Sequence, residues 1–271
     1  MVRYLRCGKK GIVKDEFIVS VISFRKLLQK TSVDSMIKAN YLRRFFLMIM
    51  GLNKYIDHTA LKPTVGREEL EKLCMEAAEY DFASVCVNPC NVAYVKELLK
   101  NTDVNVCTVI GFPLGANTSE IKAYETEVAY KHGCDEFDMV INVGFLKEKR
   151  YDELEEEIRQ IHEACNGKIL KVIIETCLLT DEEKIKMCEI VTNAGAEYIK
   201  TSTGFSTGGA TFADVELMRK HVGKGVKVKA AGGISSFDDA EKFVSLGADR
   251  LGTSRLVKIM KQVEGDLANE K

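Results

Sequence analysis

The feature that most constrains this chain is a rhythm. From Asn53 onward, short β-branched runs alternate eight times with longer amphipathic segments. The strand candidates are Tyr55–Thr59, Ala83–Asn88, Val104–Phe112, Glu136–Asn142, Ile169–Thr176, Tyr198–Thr203, Val226–Gly232 and Arg250–Ser254. Helices are expected at Arg67–Tyr80, Pro89–Lys100, Thr118–His132, Tyr151–Cys165, Asp181–Ala194, Thr211–His221, Phe237–Leu246 and Ser254–Gln262. Thr180, followed three residues later by Glu183, reads as a capping box. Gly133, Gly195 and Gly247 stand where helices should stop.

Strand–helix units of roughly 25 residues require parallel strands, because each return crosses over through a helix. Near-continuous apolar runs such as Val172-Ile173-Ile174 point to a sheet covered on both faces. A closed barrel and an open doubly wound sheet both satisfy this pattern. The open sheet normally carries its Gly-rich nucleotide loop after the first strand. Here that loop is Ala60-Leu61-Lys62-Pro63-Thr64, and the glycines cluster after strands six, seven and eight, where barrels place phosphate loops. The expected fold is an α/β (β/α)₈ barrel of the TIM type with a basic N-terminal extension. A length of 271 residues suits one such domain.

Composition separates the extension from the body. Residues 1–50 hold eleven basic and three acidic residues, a charge of +8, while the whole chain carries −1. That overall balance gives no case for nucleic acid or an anionic membrane as partner. The apolar stretches Phe17–Phe24 and Phe45–Leu52 fall far short of the ~20 residues that span a bilayer. A secretory signal fits poorly, because Asp15 and Glu16 precede the first stretch and no small-x-small cleavage site follows it. A transit-type peptide and an amphipathic helix packed on the barrel are alternatives. The favoured reading is that Met48 or Met50 is the native start. Residues 1–50 are then a leader or poorly ordered extension to a catalytic domain at 51–271. The nine cysteines are odd in number and lack C-x-x-C spacing, which reads as reduced thiols in the cytoplasm. Cys86 and Cys90 have no second ligand pair at zinc-finger spacing, so no metal is expected.

Four consecutive strands each carry an ionisable residue inside an otherwise apolar run: Asp138, Lys171, Lys200 and Lys229. Neighbouring barrel strands can bring all four into one interior layer. One Asp cannot neutralise three ammoniums, and burying surplus charge is costly, so such an excess is expected to perturb an amine. The chemistry that needs this is Schiff-base catalysis. A free lysine at pH 7 is only about 0.04% neutral. A second ammonium ~4–5 Å away costs the charged form about 3–4 kcal/mol at an effective dielectric near 20. That is enough, with some desolvation, to free one amine as a nucleophile. Lys200, near the loop end of strand six, is the expected nucleophile and Lys229 the perturbing ammonium. Asp138 is the expected general acid/base, acting through water, and Lys171 should hold Asp138 and substrate hydroxyls. Lys227, two residues closer to the barrel's N-terminal end, reads as structural.

Gly204, Ser206 and Gly208 follow strand six, Gly232 and Gly233 follow strand seven, and Gly252 and Ser254 close strand eight. Glycines let backbone N–H groups approach an anion, and helix N-termini favour negative charge. Together they predict a phosphate site. Asp57 and Thr59 end strand one on the same parity and are candidates for hydrogen bonds to substrate, a structural salt bridge being an equal alternative for Asp57. Thr203 is a further substrate-binding candidate, and His58 reads as structural. Cys86 either lines the pocket or is a core thiol.

The stretches Tyr-Ile-Asp-His-Thr-Ala-Leu-Lys-Pro (55–63), Val-Cys-Val-Asn-Pro (85–89), Val-Ile-Gly-Phe-Pro-Leu-Gly (109–115) and Glu-Phe-Asp-Met-Val-Ile-Asn (136–142) recur in order with three more. These are Leu-Lys-Val-Ile-Ile-Glu-Thr (170–176), Ile-Lys-Thr-Ser-Thr-Gly-Phe (199–205) and Val-Lys-Ala-Ala-Gly-Gly-Ile (228–234). From residue 53 to about 260 the sequence resembles the deoxyribose-phosphate aldolases, class I enzymes of deoxynucleoside catabolism. The resemblance implies a TIM barrel and reversible cleavage of 2-deoxy-D-ribose 5-phosphate to D-glyceraldehyde 3-phosphate and acetaldehyde, without metal or other cofactor. It implies imine formation at Lys200 with proton transfer assisted by Lys229 and Asp138, and it carries the expectation of a homodimer. Phe205 stands where some members have a lysine beside the phosphate loop. Three alternatives remain open at this point: another phosphosugar class I aldolase, a phosphate-binding isomerase without a covalent intermediate, and a non-catalytic metabolite-binding barrel.

Overall fold

The computed structural model describes residues 51–258. The expectations for residues 1–50, and for the end of the last helix near Gln262, lie outside the described residues.

Eight parallel strands close into a barrel in chain order: β1 (Ile56–Ala60), β2 (Ser84–Val87), β3 (Asn105–Ile110), β4 (Glu136–Val140), β5 (Ile169–Ile173), β6 (Tyr198–Lys200), β7 (Lys227–Ala231) and β8 (Arg250–Gly252). β8 pairs back onto β1, so the sheet has no edge. The surrounding helices are α1 (Arg67–Glu79), α2 (Val92–Leu98), α3 (Ser119–Lys131), α4 (Val143–Lys147), α5 (Tyr151–Ala164), α6 (Asp181–Ala194), α7 (Phe212–His221) and α8 (Phe237–Ser245). Residues 255–258 begin a further helix after β8. The fold is the expected (β/α)₈ barrel. No described helix is long and apolar enough to cross a membrane.

Local signals explain the boundaries. The capping box forms: Thr180 Oγ1 accepts from Glu183 N at 3.3 Å, and Glu183 Oε2 accepts from Thr180 N at 2.8 Å. Gly195 ends α6 at φ 81°, a left-handed conformation that side chains with a Cβ resist. α4 has no signature in the sequence pattern, because five residues with an internal glycine show no helical period. Asn142 caps it, accepting from Phe145 N at 3.3 Å. Several strands stop before their apolar runs do. β5 ends at Ile173 although Ile174 is buried, because the backbone leaves the ladder after one more bond, Ile174 N to Lys200 O at 3.1 Å.

Strand side chains alternate between the two faces. Val85, Phe137, Met139, Val172, Ile199 and Val228 are fully buried on the parity that faces the helices. Each contributes roughly 1.5–3 kcal/mol of burial. His58 shares that parity. Its Nε2 lies 2.8 Å from Glu76 Oε2 on α1 and its ring meets the edge of Phe82, so it is a structural residue. Lys227 is exposed at the opposite end of the barrel, its amine 5.4 Å from the Tyr198 ring centroid. Side chains that are mostly hydrocarbon therefore fill the space between sheet and helices, and the charged groups of the strands gather on the inward parity.

Candidate active site

The inward parity carries Asp57, Ser84, Cys86, Cys107, Glu136, Asp138, Lys171, Lys200, Lys229 and Arg250, and all ten are buried. Asp138 is the hub. Its Oδ1 accepts from Lys171 Nζ at 2.8 Å and from Cys107 Sγ at 3.2 Å. Its Oδ2 accepts from Lys200 Nζ at 2.7 Å and from Lys229 Nζ at 2.6 Å. Lys200 and Lys229 are direct partners in the β6–β7 register. The three lysines singled out in the sequence thus all meet on the fourth residue, Asp138.

More charges extend this cluster. Asp57 Oδ2 lies 2.5 Å from Lys229 Nζ, and Asp57 Oδ1 accepts from Arg250 Nη1 at 2.6 Å and Ser84 Oγ at 2.7 Å. Glu136 Oε2 lies 2.6 Å from Lys171 Nζ and 3.2 Å from Arg250 Nη1. Sequence reasoning missed Glu136 and Arg250. A two-residue step back along the strand from Asp138 would have found the first. With every group charged the cluster holds four cations and three carboxylates, one positive charge in excess.

Burial opposes every one of these charges, and the pairing overcomes it. The Lys171, Lys200 and Lys229 ammoniums hold the Asp138 carboxyl well below the usual carboxylate range. Lys229, Arg250 and Lys171 do the same for Asp57. The carboxylates in turn outweigh burial at Lys171, Lys229 and Arg250 and hold all three cations above their ordinary values. Lys200 differs from the other lysines. It touches one carboxylate, whereas Lys229 touches two and Lys171 touches three. It is also the least enclosed, at 3% exposed against 0% for Lys171 and 1% for Lys229.

The residues expected to meet substrate are placed as follows. Asp57 is fully enclosed, ion-paired to Lys229 and Arg250 and accepting from Ser84, so it anchors the charged layer. Lys171 donates to Asp138, and its amine also meets Glu136 and Cys107. Thr203 Oγ1 donates to Glu175 Oε2 at 2.5 Å and accepts from Phe205 N at 3.0 Å, so it shapes its loop. Glu175 was not legible as a loop clamp: it reads as the end of strand five, yet takes a left-handed φ of 54° and turns its carboxylate onto Thr203. Thr59 is half-buried and bonds its own strand at Asp57 O. Cys86 faces the interior beside Leu61, Cys107 and Val109, with Phe112 packed against the group.

The glycine-rich loops meet at the barrel's C-terminal end. Ala210 N donates to Ala231 O at 3.0 Å and to Gly232 O at 3.1 Å. Gly209 permits this approach, because a Cβ there would lie 2.6 Å from the Gly232 carbonyl carbon. Gly204, Ser206 and Gly233 are exposed around this contact, and Gly208 and Gly232 are half-buried. Ser206 Oγ lies 3.5 Å from Cys177 Sγ. Gly252 has a second neighbour: a Cβ on it would come within 3.4 Å of Lys229 Cε. Ser254 is exposed just before the helical residues 255–258. Phe205 meets Phe112 edge-to-face at 5.2 Å, joining the loop after β6 to the apolar group around Cys86. Elsewhere on the surface, a cleft of about 690 Å³ lies near the start of α3 and along α5, with Glu120, Asp152, Glu153, Glu156 and Glu157 in its walls.

The chain is similar to known proteins in both sequence and structure. A family model described as DeoC/LacD family aldolase matches residues 52–252. The deoxyribose-phosphate aldolase of Streptococcus sanguinis is 59% identical over 215 residues, covering 79% of this chain and 98% of the relative. That of Streptococcus equi subsp. zooepidemicus is 58% identical over 220 residues, covering 81% and 99%. Among solved structures, the tetrameric deoxyribose phosphate aldolase from Aeropyrum pernix superposes with a TM-score of 0.74 at 30% identity, covering 84% of this chain and 97% of that one.

Proposed function

Since the chain belongs to the DeoC/LacD aldolase family, we propose that its interior lysine cluster forms and breaks an imine with an aldehyde sugar. The chain cleaves 2-deoxy-D-ribose 5-phosphate reversibly to D-glyceraldehyde 3-phosphate and acetaldehyde, in deoxyribonucleoside catabolism. The observation that carries the residue assignment is the charge count. An enclosed cluster with one surplus cation is balanced when one amine gives up its proton, and Lys200 is held by the fewest carboxylates.

The neutral Lys200 amine attacks C1 of the open-chain sugar, and loss of water leaves a protonated imine, which serves as the electron sink. The proton of the C3 hydroxyl departs through water to the Asp138–Lys229 pair. The C2–C3 bond then breaks, its electrons pass into the imine and glyceraldehyde 3-phosphate leaves. The remaining enamine takes a proton at C2, and hydrolysis releases acetaldehyde and restores Lys200. Lys171 keeps Asp138 in place. Gly204, Ser206, Gly208, Gly232, Gly233, Gly252 and Ser254 receive the phosphate, and Leu61, Phe112 and Phe205 flank the apolar side of the mouth.

Borohydride reduction in the presence of substrate tests this directly. A covalent adduct mapping to Lys200, lost together with turnover in Lys200→Ala, is the expected result. Turnover without any trapped adduct would instead favour a non-covalent isomerase. The assembly is proposed to be a homodimer in the cytoplasm, and light scattering on the purified chain checks the oligomeric state.

A further inference from the structure

Cys86 and Cys107 are Cα partners in the β2–β3 register, and both side chains face the sealed interior. Their sulfurs and a carboxylate oxygen of Asp138 all lie within 4.8 Å of one another, and Cys107 Sγ is 3.2 Å from Asp138 Oδ1. A four-coordinate zinc-class ion, bonded at about 2.3 Å to sulfur and about 2.0 Å to oxygen, holds such atoms about 3.5–3.8 Å apart. The three groups are therefore close to the dimensions of a chelate. We propose that Cys86, Cys107 and Asp138 form an inhibitory binding site for a thiophilic divalent cation of the zinc class.

Charge balance permits this in spite of the surrounding amines. The dication binds as two S–H bonds break and two protons leave to solvent, with nothing oxidised or reduced. The resulting unit of one dication, two thiolates and one carboxylate carries a single negative charge. Asp138 alone carries that same charge now, so Lys171, Lys200 and Lys229 still surround one net anion. Lys171 gives up its bonds to Asp138 Oδ1 and Cys107 Sγ and keeps its contact with Glu136 at 2.6 Å. Two sulfurs select soft ions over magnesium or calcium, which prefer all-oxygen sites. Occupancy takes Asp138 out of proton transfer and closes the donor side of the pocket beside Lys200, so the bound ion stops turnover. Zinc-finger spacing does not reveal such a site, because its cysteines come from neighbouring strands and meet only through the barrel register.

Cadmium titration of the full-length chain tests it. The expected result is an ultraviolet thiolate-to-cadmium absorption and a loss of aldolase activity that follow the same binding curve, both reversed by a chelator. Cys107→Ala and Cys86→Ala should each weaken inhibition about tenfold or more. Cys90→Ala, which removes an exposed thiol on the outer surface, should leave it unchanged. Inhibition that persists in both interior variants, or that follows Cys90, overturns the proposal, as does full activity at saturating cadmium. If neither interior variant folds, the cadmium NMR shift of the wild-type complex decides. A shift characteristic of two sulfur ligands supports the site, and one characteristic of a single sulfur or of four overturns it.

Discussion

Lys200 and Lys229 donate to the same carboxylate oxygen, Asp138 Oδ2, at 2.7 Å and 2.6 Å. Their amines are no further apart than those two bonds laid end to end, but a carboxylate stands between them. Direct repulsion from Lys229 is therefore only part of what acts on Lys200. The rest is the surplus of one cation in the whole enclosed cluster.

Lys229→Leu removes that surplus, leaving three cations against three carboxylates. The acid limb of the kcat profile is then expected to move upward. The rate at neutral pH falls by about 10²–10⁴, the range expected when a proton-transfer partner is lost. Steady-state kinetics across the neutral and alkaline range measure both effects. An unchanged profile would remove Lys229 from the mechanism.

Asp57 and Asp138 have carboxyls held below their unfolded value of about 3.9. The stability they contribute is fully present above that value and is lost as pH falls through the depressed folded values. Lys171, Lys229 and Arg250 are shifted upward, so their contribution is fully present below their unfolded values and is lost only at strongly alkaline pH. Urea midpoints should accordingly change little from these groups around neutrality and drop below about pH 4. Asp57→Asn should lower the neutral plateau and flatten part of the acid decline. An acid decline as steep in the variant as in the parent would contradict the assignment.

Away from the reaction centre, Lys122 on α3 is fully buried, 2.7 Å from Glu157 Oε1 on α5, and donates to Val140 O at 2.9 Å. Burial holds Lys122 below its ordinary value and Glu157 above its own. Burial thus offsets much of the attraction between the two charges, so the pair adds little net stability. Lys122→Met alone strands a buried carboxylate and should cost about 3–5 kcal/mol in urea unfolding. Adding Glu157→Leu should recover much of that loss. Strict additivity of the two single changes would refute the coupling.

Gly209→Ala pushes a methyl group against the Gly232 backbone and separates the loops after β6 and β7. KM for the phosphorylated substrate should rise about 10-fold or more, the scale of one misplaced contact. Cleavage of unphosphorylated 2-deoxyribose should be nearly unaffected. Equal losses on both substrates would mean that these loops do not receive the phosphate.

The reactive centre is legible in sequence to the extent that charge inside an apolar strand is an anomaly. Asp138, Lys171, Lys200 and Lys229 each break a hydrophobic run, and each proves to be in contact with the same carboxylate or to be that carboxylate. Glu136 and Arg250 escape because each opens its strand next to an aspartate, Asp135 or Asp249, where charge reads as the end of a turn. Asp57 is visible as a polar residue in β1, but its partners come from β2, β7 and β8. Those contacts depend on how far each strand is staggered against the next, and hydrophobic periodicity does not encode stagger. Glu175 is hidden for another reason, since its role lies in a backbone angle. The capping box at Thr180 is fully local, and it forms as read.

Arg250 ties the last strand to Asp57 on the first and Glu136 on the fourth, across sequence separations of 193 and 114 residues. On the ribosome this wiring sets an order of events. A nascent chain that has yet to deliver residue 250 holds two enclosed carboxylates without their guanidinium, in a sheet whose first strand is still unpaired on one side. Catalytic competence then waits for β8, the strand that brings the guanidinium to both carboxylates and closes the barrel onto β1.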